Sequence, residues 1–193
     1  MNTQEIIQYL IIAAEACSAI AGILYYHKLK NTYWKYFAIY CIVIFLNELF
    51  SLLVLASFIE YRQFFYDVYG IPIQFLFLFW LYAYKSLQMK TFFFVSIALY
   101  LISLIPHFFY EERYSLIPSM SYTVGCFLIL IMCVLEFVKQ VKSDSILYFK
   151  QNKMFYINIG VILFYVGTMP FFAFIRQLHD YDIELYRSYR TFT

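Results

Sequence analysis

YFAIYCIVIFLNELFSLLVLASF, residues 36–58, is an apolar run with Asn47 and Glu48 at its middle. A helix rises about 1.5 Å per residue, so ~20 residues cross ~30 Å of hydrocarbon and this run is long enough to span a bilayer. Its centre therefore places an amide and a carboxylate at the depth where polar groups are most expensive. The rest of the chain can be read outward from that stretch.

The chain has 193 residues, of which 64% are hydrophobic and only 13% charged. Soluble domains run nearer half apolar and a quarter charged. A water-soluble fold of this size would have to expose large apolar patches. The composition points to an integral membrane protein. Hydropathy divides it into six expected spans, at about 6–26, 36–58, 66–84, 91–110, 117–138 and 154–175, followed by a polar tail over 176–193. The fold class expected is an all-α, polytopic transmembrane helical bundle with short connections. Met1–Glu5 has no basic n-region and Glu15 interrupts the apolar run behind it, so the first span is expected to be retained rather than cleaved as a signal peptide.

The lysines orient the chain. Lys28, Lys30, Lys35, Lys85, Lys90, Lys139, Lys142, Lys150 and Lys153 all fall in the first, third and fifth connections, which alternation places on one side. The facing side has no lysine and carries Arg62, Arg113 and Arg176 beside Glu60, Asp67, Glu111 and Asp180. The positive-inside rule makes the lysine side cytoplasmic and places both termini outside, in the cell (inner) membrane. Tyr25, Trp34, Trp80, Tyr82 and Tyr84 then lie near the inner boundary, and Tyr61, Tyr66 and Tyr69 near the outer one, where amphipathic rings anchor helices at the headgroups.

Five polar side chains interrupt the spans near mid-depth: Glu15, Asn47, Glu48, Gln74 and Asn158. They form the candidate ligand- or ion-binding set. Gln8, Glu15 and Gly22 share one face of the first span, overlapping a small-residue stripe of Ala14, Ser18 and Gly22 that lets helices approach closely. On the sixth span Asn158, Tyr165 and Thr168 share a face, and Gly160 and Gly167 make a second, closely packing one. Pro72 and Pro170 are expected to bend their helices and free backbone carbonyls. No Lys or Arg is read at matching depth, so two carboxylates in a dry interior cannot both stay ionised. Protonation, a water-filled cavity, or a bound cation or amine would each resolve the conflict. The plainer alternative is a neutral Glu hydrogen-bonded between helices as packing glue.

Cys17, Cys41, Cys126 and Cys133 lie inside apolar spans without CxxC spacing and read as small packing residues. His107 and Glu111, four apart, read as a solvated pair rather than a metal site, and no cofactor is expected. No HExxH, GxSxG, P-loop or GxGxxG pattern is present, so the chain is not read as an enzyme. Expected partners are the lipid bilayer, a small cationic or neutral ligand, and a protein partner or a second copy. Nucleic acid is not among them, because orientation already explains the lysines.

FYINIGVILFYVG, from Phe155 to Gly167, resembles the sixth helix of small polytopic membrane proteins common in Bacteroidetes, which have no assigned function. ELFSLL, Glu48–Leu53, and YGIPIQFL, Tyr69–Leu76, resemble them too, with Gln74 where that family tends to show Glu. The resemblance implies about seven spans, one more than this chain displays, so either this member is shorter or a last span is missing. The functions that fit are a small transporter or permeation pathway, a membrane-embedded sensor or partner subunit signalling through a separate protein, and a purely structural assembly subunit.

Overall fold

A computed structural model of the chain describes residues 3–54, 59–110, 119–143 and 145–173, and no β-strand occurs among them. In order, the elements are α1 (Thr3–Leu29), α2 (Trp34–Leu53), α3 (Ile59–Phe65), α4 (Ile71–Phe79), α5 (Lys90–Tyr110), α6 (Ser119–Lys142) and α7 (Lys153–Ala173). Two π-helical segments, Tyr66–Gly70 and Trp80–Ser86, flank α4, and a short 3-10 segment, Ser145–Gln151, precedes α7.

The all-α class is confirmed. Among the described residues, four helices are long and apolar enough to cross a membrane: Tyr9–Leu29, Trp34–Leu53, Met120–Lys142 and Lys153–Pro170. They fall on the first, second, fifth and sixth expected spans. The fourth, 91–110, falls on α5, whose apolar helix is the shorter Lys90–Pro106. The third departs most. Helix begins at Ile59, where a loop was expected, and the winding then changes twice. Pro72 supplies a reason for the first change. It has no N–H to donate one turn back and its ring crowds that carbonyl, which favours a widened turn just before it. Two residues beyond the second π segment, Gln88 has a φ of 59°, in the left-handed region, which stops the helix ahead of α5.

The chain forms two compact units divided between Gly70 and Ile71. In the first, α1 and α2 are the main packed pair. A Cβ on Gly22 would stand 3.1 Å from the Ala38 carbonyl oxygen, and Ala19 and Ala38 are both buried. Gly22 therefore lets two backbones approach as expected, but Ala14 and Ser18, the other members of the expected stripe, are exposed, and Ala19 takes the buried position instead. Phe50 of α2 meets Phe65 of α3 with ring centroids 5.5 Å apart.

The second unit is organised on α6. Tyr122, Cys126, Ile129, Cys133, Glu136 and Gln140 are all buried and follow at alternating steps of four and three, one continuous helical stripe. Phe75 of α4 is the centre of its aromatic core, with ring centroids 5.2 Å from Tyr100, 5.6 Å from Tyr122 and 5.5 Å from Tyr165. It fits there because Gly125 has no side chain: a Cβ would lie 2.7 Å from the Phe75 ring. Gly160 and Gly167 contradict the expectation of a second close-packed face. Nothing among the described residues lies within 4 Å of where their Cβ atoms would stand.

The outer surfaces are apolar. Leu53 is 74% exposed, Leu24 and Leu163 are each 71% exposed, and Ile102, Phe127 and Phe164 are exposed as well. Water would penalise such a surface, whereas lipid tails solvate it at little cost.

Candidate functional site

Each unit holds its own polar grouping. In the first, α1 and α2 bring Glu15 and Glu48 close enough for the Glu48 charge to act on Glu15. The backbone approach at Gly22 and Ala38 makes this possible, because it sets two helix faces nearly in contact two turns from Glu15. Ser18 is exposed and donates to the Glu15 backbone carbonyl at 2.7 Å. Glu15 Oε2 and Asn47 Nδ2 are shielded from solvent and have no hydrogen-bond partner among the described residues.

Glu48 is held differently. The Tyr66 hydroxyl donates to Glu48 Oε2 at 2.5 Å, from the π segment that follows α3. Gly70 leaves room for that ring, since a Cβ there would stand 3.0 Å from Tyr66 Cδ1. One turn along α2, the fully buried Ser51 accepts from Arg62 Nε at 2.9 Å. The Arg62 guanidinium also lies 5.9 Å from the centre of the Tyr66 ring. Glu48, Tyr66, Ser51 and Arg62 thus form one linked group, with a positive charge inside it.

That finding corrects two expectations. Arg62 was assigned to a loop at the outer rim, with no cation expected near the carboxylates. It stands instead on α3, and its long side chain reaches the α2 turn next to Glu48. Tyr66 was read as a headgroup anchor, yet its hydroxyl is spent on Glu48. Asp67, also assigned to the outer polar rim, is only 4% exposed.

In the second unit, Asn158 joins three elements. Its Nδ2 donates to the Cys133 carbonyl of α6 at 3.1 Å, and its Oδ1 accepts from the Tyr82 hydroxyl at 3.1 Å. Tyr82 is therefore a buried core residue with its hydroxyl satisfied, not the interfacial anchor expected from its position. Asn158, Tyr165 and Thr168 are all buried, so their shared face is the inward one, as the spacing predicted. Thr168 and Tyr122 hydroxyls lie 3.0 Å apart, closing the same seam farther along. Gln74 sits half-buried on α4.

A third polar cluster was missed. Glu136 on α6 is 2% exposed, accepts from Ser86 Oγ at 2.7 Å through Oε2, and from Gln140 Nε2 at 3.0 Å through Oε1. Lys139 Nζ donates to the Ser86 carbonyl at 2.6 Å and stands 3.9 Å from Glu136 Oε2. The signal was available. Glu136 and Gln140 extend the stripe through Cys126 and Cys133 at the same alternating spacing, beyond the expected membrane midpoint.

Cys126 and Cys133 are buried in that stripe, Cys41 is half-buried and Cys17 exposed, all as free thiols. Glu111 and the His107 side chain lie outside the described residues, as does the 176–193 tail. Chemically, the first unit offers a shielded carboxylate oxygen and a shielded amide N–H with capacity left over, beside a second carboxylate already latched. The Asn158 and Glu136 clusters bridge helices, which is the work of polar groups acting as interhelical glue. No family model, curated protein or solved structure matches the chain.

Proposed function

We infer that the chain is a multi-pass protein of the cell membrane, crossing it six times with the lysine connections inside, that passes a proton, a cation or a small solute by way of Glu15. One observation carries this reading: Glu15 Oε2 and Asn47 Nδ2 are buried without partners on the packed α1–α2 pair. An unsatisfied buried polar atom costs about 1–3 kcal/mol, and more when charged. A proton, cation or small polar molecule arriving there would remove that cost. The two carboxylates divide the work. Glu48 is committed to Tyr66, which leaves Glu15 as the group that exchanges its occupant.

The test is flux in proteoliposomes made from purified protein. Proton or cation movement above protein-free liposomes is expected, abolished by Glu15→Gln in protein that still folds. Flux equal to empty liposomes across a panel of protons, monovalent cations, amines and neutral solutes would overturn the transport reading. Binding without flux, seen as ligand-dependent thermal stabilisation lost in Glu15→Gln, would instead favour the membrane-embedded sensor or partner subunit, whose output passes to a separate protein. Full stability and phenotype in both Glu15→Gln and Glu48→Gln would leave a structural subunit.

A further inference from the structure

The chain between α6 and α7 is a short, fixed element carrying outward-facing aromatic and basic side chains. It joins the spans Met120–Lys142 and Lys153–Pro170, so in a membrane it lies at one headgroup layer. Three observations fix its shape. The Phe149 ring packs on Phe155 at 5.5 Å, and Phe155 in turn meets Phe137 edge-on at 6.2 Å. Asn152 caps α7, its Oδ1 accepting from the Met154 N–H at 3.1 Å, while its own N–H donates to the Phe149 carbonyl at 3.1 Å. Within the segment the backbone leaves helical geometry at Tyr148, with φ −106° and ψ 29°, and that side chain stands 70% exposed.

Lysines flank this segment in sequence. Lys142, Lys150 and Lys153 are exposed on the same connection. The neighbouring connection begins beside the last turns of α6, because Lys139 of α6 donates to the Ser86 carbonyl at the end of the second π segment. It contributes Lys85, 5.4 Å from the centre of the Tyr84 ring, and Lys90, 5.9 Å from the same ring. The positive-inside rule explains why lysines gather on this side. It does not explain a tyrosine left 70% exposed on the same connection.

We propose that this corner of the second unit is a docking site for anionic lipid headgroups, with Lys142, Lys150 and Lys153 contacting phosphate and the Tyr148 ring seated at the headgroup boundary. Charge complementarity selects the occupant. Basic residues beside a membrane surface attract anionic lipids, and an amphipathic ring among them adds apolar burial at the same depth.

The experiment uses the full chain in detergent, with thermal stability followed as phosphatidylglycerol or phosphatidylcholine is added to the micelles. Phosphatidylglycerol is expected to raise the melting temperature more than phosphatidylcholine does, and 0.5 M salt, which shortens the screening length from the ~8 Å of physiological ionic strength, is expected to shrink the difference. Lys142→Gln/Lys150→Gln/Lys153→Gln should raise the phosphatidylglycerol needed for half the effect by about tenfold or more. Tyr148→Ser should also raise it, without lowering stability in plain detergent. The control removes equal charge elsewhere: Lys28→Gln/Lys30→Gln/Lys35→Gln should keep the wild-type response. Equal responses to the two lipids, an unchanged response in Tyr148→Ser, or equal loss in the control would each overturn the proposal. So would a poly-glutamate peptide that stabilises the protein as much as phosphatidylglycerol, which would point to an acidic protein partner.

Discussion

Adding one methyl group at Gly125 tests the aromatic core directly. Its Cβ would lie 2.7 Å from both Cε1 and Cζ of Phe75 and 2.9 Å from Cδ1. The ring has no free space to retreat into, since Phe75 is 1% exposed and hemmed in by Tyr100, Tyr122 and Tyr165. Overpacking of this kind costs about 1–3 kcal/mol. Gly→Ala in a helix returns up to about 1 kcal/mol of backbone propensity, which would blur the result. Gly160→Ala cancels that uncertainty, because Gly160 sits in a helix with nothing within 4 Å of its would-be Cβ. The difference between the two variants therefore isolates the clash, at roughly 1–3 kcal/mol. Equilibrium unfolding of purified protein in mixed micelles measures it. Phe75→Leu replaces the ring with a smaller aliphatic side chain and should partly rescue Gly125→Ala, giving a favourable coupling in the double-mutant cycle. Gly125→Ala as stable as Gly160→Ala, or no coupling to Phe75, would refute the packing described for this core.

Other consequences are as specific. Tyr82→Phe removes the hydroxyl that satisfies Asn158 Oδ1 and should destabilise by about 0.6–1.7 kcal/mol, while Asn158→Leu, which also frees the Cys133 carbonyl, should cost more; equal unfolding midpoints for wild type and both variants would contradict that bridge. Gly22→Val should force α1 and α2 apart, because the obstructing Ala38 oxygen is backbone and cannot rotate away; undiminished crosslinking between cysteines placed on facing turns of the two helices would show otherwise. For the proposed orientation, Ser143→Cys should react with an impermeant maleimide only from the cytoplasmic side, and labelling of intact cells from outside would invert the topology. Tyr66→Phe should release Glu48 from its latch and lower the flux proposed for Glu15, whereas transport identical to wild type would detach Tyr66 from that mechanism.

Composition and hydropathy made the all-α class legible, with several helices apolar enough to suit a membrane. In lipid a backbone has to satisfy its own polar groups, as helices or as a closed barrel, and unbroken apolar runs of ~20 residues such as 36–58 suit helices. Periodicity along single helices was partly legible: Asn158, Tyr165 and Thr168 face inward together and Gly22 packs closely, whereas Ala14 and Ser18 of the same expected stripe are exposed. Periodicity says which residues share a face but not which face meets which neighbour. Only the tertiary structure joined Tyr66 and Arg62 to the turn holding Glu48 and Ser51, Tyr82 to Asn158, and Ser86 to Glu136. Those pairings depend on helix rotation and on the rewound turns flanking α4, where a residue's distance along the chain no longer predicts its direction. Gly160 and Gly125 make the same point. Both are glycines inside long apolar helices, and only the position of Phe75 distinguishes the one that is filled from the one that is open.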